Sequence, residues 1–108
     1  MRNNQCSLDM VRLDADVHVP GYLKDRLHGI AQRTLQRFNT HFGGMRMHVH
    51  LKPEGSQVGC HVNLVTDHGQ YVAKSCDWDL HRAFDDAIES VEAQLERHLG
   101  KHTHQLAH

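Results

Sequence analysis

Residues 69–102, GQYVAKSCDWDLHRAFDDAIESVEAQLERHLGKH, decide the fold. A strand-like run over Gln70 to Cys76 meets a long apolar stripe at Asp77-Trp78-Asp79. Leu80, Phe84, Ala87, Ile88, Val91, Leu95 and Leu99 recur at i, i+4, i+7, i+8, i+11, i+15 and i+19, which lines one face of an α-helix. Half of this helix has to face a core. Asp79 is placed to cap the N-terminus, its carboxylate accepting from the first free amides. Gly100 is expected to close the helix in a left-handed turn, with Arg97 and Lys101 near the negative end of the dipole. Asp85, Glu89, Glu92 and Glu96 follow one another at i, i+4, i+7 and i+11, so carboxylates line one flank of the stripe. That flank repels phosphate.

Upstream, the periodicity changes from helical to alternating. Val58, Cys60, Val62 and Leu64 alternate with polar residues, and Asp67-His68-Gly69 turns the chain into the run that precedes the helix. Met45, Met47, Val49 and Leu51 alternate with Arg46, His48, His50 and Lys52, and Pro53-Glu54-Gly55 is expected to turn that strand into the next. Two hairpins in series result. Pro20 sits where a first helical turn tolerates it, and Leu23, Leu27, Ile30, Ala31, Thr34 and Phe38 predict the inward face of a helix over about 20–39, closed by Phe42 and Gly43-Gly44. Leu8, Met10, Val11 and Leu13 predict a first strand over about 7–14, bulged where their parity slips. The order is β-α-β-β-β-α. Its first crossover makes a parallel strand pair, so the expected fold is α+β, a four-stranded mixed sheet with two helices packed on one face.

A chain of 108 residues with 39% hydrophobic content forms one domain, 1–108, with a core over about 7–100. Residues 1–5 and 103–108 are expected to be flexible or, for the tail, a fraying helical end. The formal net charge of -1 excludes a global basic field that would bind nucleic acid indiscriminately, so any such contact has to be local. Twelve histidines make the charge pH-sensitive. Cys6, Cys60 and Cys76 are odd in number and widely spaced, which indicates neither a disulfide framework nor a thiolate zinc site. A reducing cytoplasm is the expected compartment. The N-terminus lacks the apolar segment of a signal peptide, and no run approaches the roughly 20 apolar residues of a membrane span.

Arg26, Arg33 and Arg37 stand at i, i+7 and i+11 on the predicted first helix, a line of guanidinium groups able to track phosphates. The plainer reading is solvated surface arginines, paired with the carboxylates of the second helix packed alongside. Lys24 and His28 project from the other flank. Arg46, His48, His50 and Lys52 share the non-core strand face, with His61 expected across from them. That patch suits RNA contact or metal binding, although an open sheet face needs polar residues in any case. Arg82, Arg97 and Lys101 are the remaining cations of the last helix. His98 and His102, like His104 and His108, are spaced at i, i+4, but His98 falls on the apolar stripe, where packing is the simpler role. No metal and no cofactor is expected. Trp78 precedes the cap, where a hydrophobic residue staples a helix start, and Tyr71 reads as packing; base stacking is the alternative for each. No nucleophile elbow, phosphate-binding glycine loop or HExxH motif is present, and neighbours such as Cys60 and His61 face opposite sides of a strand, so no enzyme and no small-molecule substrate is expected.

Over roughly residues 8–102 the chain resembles the ribosome hibernation-promoting factor and ribosome-associated inhibitor (sigma-54 modulation protein) family. Asp16-Val17-His18-Val19-Pro20 with Tyr22-Leu23-Lys24, Trp78-Asp79-Leu80 with Ala83-Phe84-Asp85, and Gln94-Leu95 with Arg97-His98 carry the resemblance. It implies a bacterial stress and stationary-phase protein that binds the small ribosomal subunit and its rRNA, and silences translation by occupying the channel of messenger and transfer RNA. It also implies a short form, which we expect to be monomeric off the ribosome. The family's last helix is rich in Lys and Arg in its second half, where this chain has Ala93, Glu96, Leu99 and Gly100. This departure moves the expected RNA contact to the arginine line, with Arg26, Arg33, Arg37, Lys24, Arg82, Arg97 and Lys101 as candidates and the sheet-face group as a second set. The alternative is a divergent domain that has lost ribosome binding and serves as a protein-interaction or stress module. A double-stranded RNA-binding domain shares the α-β-β-β-α order, but it needs a basic start to its last helix, which Asp77-Trp78-Asp79 denies.

Overall fold

A computed structural model of the chain describes residues 10–107, with side chains over 10–100. The elements are β1 (Val11–Ala15), α1 (Gly21–Phe42), β2 (Met45–Glu54), β3 (Gln57–Thr66), β4 (Gly69–Asp77) and α2 (Leu80–Ala107). They form one sheet in the order β1-β2-β3-β4, β1 parallel to β2 and the remaining pairs antiparallel. The α+β, β-α-β-β-β-α expectation holds. Residues 1–5, the strand start at residue 7 with Leu8, Cys6 and His108 lie outside the described residues, as do the side chains of Lys101, His102 and His104, while the tail over 103–107 continues the last helix.

Alternation sets which face of the sheet is buried. Met45, Met47, Val49 and Leu51 of β2 and Cys60, Val62 and Leu64 of β3 are almost wholly buried, and they meet Leu27, Ala31, Phe38 and Phe42 of α1 and Phe84, Val91 and Leu95 of α2. Each such large side chain contributes about 1.5–3 kcal/mol by leaving water. Both helices therefore cover one face and leave the other open. Leu35, absent from the predicted inward face of α1, is buried too, so the apolar stripe is wider than expected.

Two boundaries differ from expectation. The β2–β3 turn falls at Gly55-Ser56 rather than at Pro53, because Pro53 pairs with Val58 and Glu54 with Gln57. Pro53 is tolerated because the Leu51 carbonyl accepts from the Asp16 amide, so the side on which Pro53 lacks an N–H lies beyond the end of β1. β1 pairs residue for residue with Met47 to Leu51 over Val11–Ala15, and the expected bulge, where the parity slips before Val11, lies outside that register. α2 does not stop at Gly100 but continues to Ala107, since one helical glycine costs only about 1 kcal/mol relative to alanine.

The starts and stops of the helices have local causes. Pro20 lies just outside α1 as its cap, and its carbonyl accepts from the amides of Leu23 and Lys24. Gly43, at a φ of 71°, ends α1, and the amide of Gly44 donates to the Asp67 carboxylate at 3.1 Å. Asp67 occupies the space that a Cβ on Gly43 would need, so the β3–β4 turn is tied to the end of α1. At α2, the Asp79 carboxylate accepts from the His81 amide at 3.1 Å, as a cap should.

Candidate nucleic-acid interface

The two helices run parallel, because contacts between them advance together along both chains. The Thr34 hydroxyl donates to Glu92 at 2.7 Å, and Arg37 donates to Glu96 one turn further on. Arg37 also lies 3.7 Å from Glu92, and its guanidinium sits 4.8 Å from the centre of the Phe38 ring. The structure thus splits the arginine line. Arg37 is held by α2, as the plainer reading required. Arg26 and Arg33 are exposed and make no ion pair among the described residues.

The same contacts change the meaning of the carboxylate line. Glu92 and Glu96 are engaged by α1, and Asp85 lies 3.0 Å from Nδ1 of His81. Of the four, only Glu89 has no such partner among the described residues. The remaining helix cations are scattered. Lys24 is exposed near the start of α1, and Arg82 shares a shallow acidic depression with Asp77, Asp79, Asp85, Asp86 and Glu89. Arg97 stands beside Tyr71, Gln94 and His98. The Lys101 side chain lies outside the described set.

On the open face of the sheet, Arg46, His48, His50 and Lys52 stand in a row along β2, as the alternation requires. His61 is opposite His50, and Lys74 of β4 is opposite His61. The imidazoles of His48 and His50 stack, with centroids 6.3 Å apart and planes within 6°. Each is held by a carboxylate from the β1 side: His48 Nε2 lies 2.7 Å from Asp14 and His50 Nε2 lies 2.9 Å from Asp16. Chiefly through the bond from His48, and then through the nearby Arg12, the Asp14 carboxyl is held below the ordinary carboxylate range, against the opposing effect of burial. His61 is shifted below the ordinary imidazole value by burial first and then by Lys52 and Lys74, with Glu54 opposing.

Arg12, Asp14, Asp16, Glu54 and Lys74 were not singled out from the sequence as members of this surface. Lys74 could have been found from the parity of β4 once the His50–His61 pairing was assumed. The β1 residues could not, because their partners depend on the parallel register across a 22-residue helix.

Trp78 corrects the staple expectation. It is 71% exposed, and the position it would have to clamp is Ala83, whose methyl offers little surface. The approach to α2 is fixed instead by the Asp79 amide donating to the Asp77 carboxylate at 2.9 Å. Tyr71 packs edge-on to Phe42 at 5.9 Å, as expected, and the exposed His98 also rests on Phe42, at 5.4 Å. Cys60 faces the core, where burial pushes its thiol up to about 12, while His61 faces the open side. The two cannot act as a nucleophile and base together. Among the described residues, no helix is long and apolar enough to cross a membrane.

No curated protein gives a significant sequence match. Among solved structures, the N-terminal domain of Thermus thermophilus Protein Y is similar, with a TM-score of 0.64 at 20% identity over 80% of this chain and 93% of that one. A ribosomal subunit interface protein from Coxiella burnetii has a TM-score of 0.67 at 13% identity, over 83% of this chain and 97% of that one. At such identities the likeness shows the fold. The sequence pattern described as sigma 54 modulation protein / S30EA ribosomal protein matches residues 17–103, from the approach to α1 to the last turns of α2, so the chain belongs to that family of ribosome-associated factors.

Proposed function

We propose that the protein is a hibernation factor that binds the small ribosomal subunit and blocks translation by occupying the channel of messenger and transfer RNA. The family match over residues 17–103 carries this reading. The description of the Coxiella burnetii neighbour as a ribosomal subunit interface protein supports a partner of the same kind. On this chain, Arg26 and Arg33 are the contact residues. They lie on one line of a rigid helix, they are exposed, and no carboxylate among the described residues claims them. A guanidinium can hold a phosphate through two parallel hydrogen bonds, and each phosphate neutralised releases counterions. Arg37 acts differently: pinned by Glu92 and Glu96, it holds α1 against α2 and keeps the arginine line in register. Inhibition by occupancy needs only affinity and bulk, so nothing is turned over.

The test is competition. Titrated into small subunits carrying a labelled messenger fragment and transfer RNA, the protein displaces both, whereas binding that leaves both in place refutes occupancy. The Arg26→Glu/Arg33→Glu double variant lowers the slope of log affinity against log salt by about 2 if each arginine neutralises one phosphate.

A second reading, a family member given over to protein contacts, is favoured by the acidic depression at the start of α2 and the exposed Trp78 beside it. Absence of small-subunit binding at any salt selects it.

A further inference from the structure

The open face of the sheet lies on the opposite side of the molecule from the helix layer, and its charges are arranged differently. We propose that this face is a second binding surface, for single-stranded RNA, which acid switches on by charging His48, His50 and His61. The inference does not depend on ribosome binding through α1.

The first ground is the charge count. Among the described residues, Arg12, Arg46, Lys52 and Lys74 stand against Asp14, Asp16 and Glu54, four cations against three carboxylates, a net of +1. Protonation of the three histidines adds three, giving +4. Among the described residues, no other face gathers three imidazoles on adjoining strands among fixed cations. Imidazole is the side chain whose charge responds to mild acidification.

The second ground is what each histidine faces. His48 has Arg46 and His50 on its own strand, Asp14 and Arg12 of β1 on one side, and the neutral Asn63 on the other. His50 has Asp14 opposite it on β1 and Asp16 just beyond, His48 and Lys52 on its own strand and, across the strand pair, His61. His61 has Lys52, Lys74 and His50 around it, and a single carboxylate, Glu54, lies 3.7 Å from both its Nε2 and the ammonium of Lys52. Glu54 lies across Gly59, in the space a Cβ there would fill. This carboxylate stands where a phosphate oxygen would bridge Lys52 and His61. Without an anion from outside, burial and the two lysines disfavour a charged His61. A phosphate among them reverses that balance, so binding draws in a proton and affinity rises as pH falls.

The third ground selects RNA as the occupant. The cationic row follows one strand, as a phosphate backbone needs. Between its members the parallel His48 and His50 rings offer planar faces, and Val65 and Val72, 39% and 49% exposed, supply apolar area nearby. Phosphate-binding charge interleaved with flat stacking surface is how proteins hold unpaired strands without reading sequence. A lipid surface or an acidic peptide has no use for the planar pair.

Fluorescence anisotropy with a labelled single-stranded RNA of about 12 nucleotides tests this without any ribosome. Circular dichroism at each pH confirms that the fold persists. Affinity is expected to rise by about tenfold or more from about pH 7.5 to about pH 5.5, since each proton taken up allows up to about tenfold per pH unit. The His48→Gln/His50→Gln/His61→Gln variant loses that rise, while Arg26→Glu/Arg33→Glu, on the other side of the molecule, keeps it. Glu54→Gln tightens binding at neutral pH, and the single variant His61→Gln serves should the triple variant unfold. A flat pH profile overturns the proposal, as does a rise that survives removal of the histidines. Acid-dependent binding to anionic vesicles but not to RNA overturns the choice of occupant. Loss of small-subunit binding by the arginine variant with the RNA pH profile intact would separate the two surfaces.

Discussion

The seam between the helices and the open sheet face handle their charges in opposite ways. Across the helix seam, Arg37 meets Glu92 and Glu96, and Thr34 meets Glu92, so fixed charges neutralise one another. On the sheet face the carboxylates of Asp14 and Asp16 meet imidazoles instead, whose charge depends on pH. A chain with a net charge of -1 can therefore hold its helix seam with fixed charges while its sheet face carries ones that respond to mild acid. Net charge alone hides this, and the pairing across elements reveals it.

The largest expected effect comes from breaking the frame that both surfaces share. Phe84 is wholly buried between α2 and the sheet, so Phe84→Ala should cost about 3–5 kcal/mol in urea unfolding, whereas substitutions of the exposed Arg46 should stay within about 0.5 kcal/mol. A smaller effect tests the seam. A double-mutant cycle on Arg37 and Glu96, both about half exposed, should give a coupling of about 0.2–1 kcal/mol that shrinks at high salt. A coupling of zero would mean that the arginine line is solvated throughout and that Arg37 is as free as Arg26.

The last and smallest effect tests the pH contrast. His61 is held below the ordinary imidazole value, mainly by burial, so between that lowered value and about 6.5 the folded state binds fewer protons than the unfolded one. Its contribution to stability is therefore full above about 6.5 and declines as pH falls through that window. Asp14, held below the ordinary carboxylate range chiefly by His48, contributes stability that is present above the unfolded value of 3.8 and lost only as pH falls through the lowered one. Urea midpoints measured against pH should show two separate declines. His61→Gln should flatten the upper one and leave the lower; if it leaves both, the histidine is not the source.

What could be read from the sequence follows from periodicity. The stripe from Leu80 to Leu99 and the alternation of Met45 to Leu51 and Val58 to Leu64 each depend on one element alone, and each is found in place. The Asp79 cap is local in the same sense. The misreadings at Gly100 and Trp78 come from local signals that context outweighed: a helix propagating past a tolerated glycine, and a staple with only Ala83 to clamp. The candidate surfaces were half legible. Exposure of Arg26, Arg33 and His48, and the half-exposure of His50, follow from their phase. Their partners do not, because Asp14–His48, Asp16–His50 and Arg37–Glu96 join residues 34, 34 and 59 positions apart through the register of packed elements.

The most direct measurement is sedimentation of the protein with purified small ribosomal subunits at low and moderate salt, beside the Arg26→Glu/Arg33→Glu variant. Arg37 stays unchanged, because its reversal would set like charges against Glu92 and Glu96 and disturb the seam itself. Binding through α1 predicts that the wild-type protein travels with the subunits and that the variant stays in the supernatant with its fold intact. Wild-type protein left in the supernatant at every salt concentration would contradict a ribosomal role, and a variant that still co-sediments would remove the arginine line from the interface.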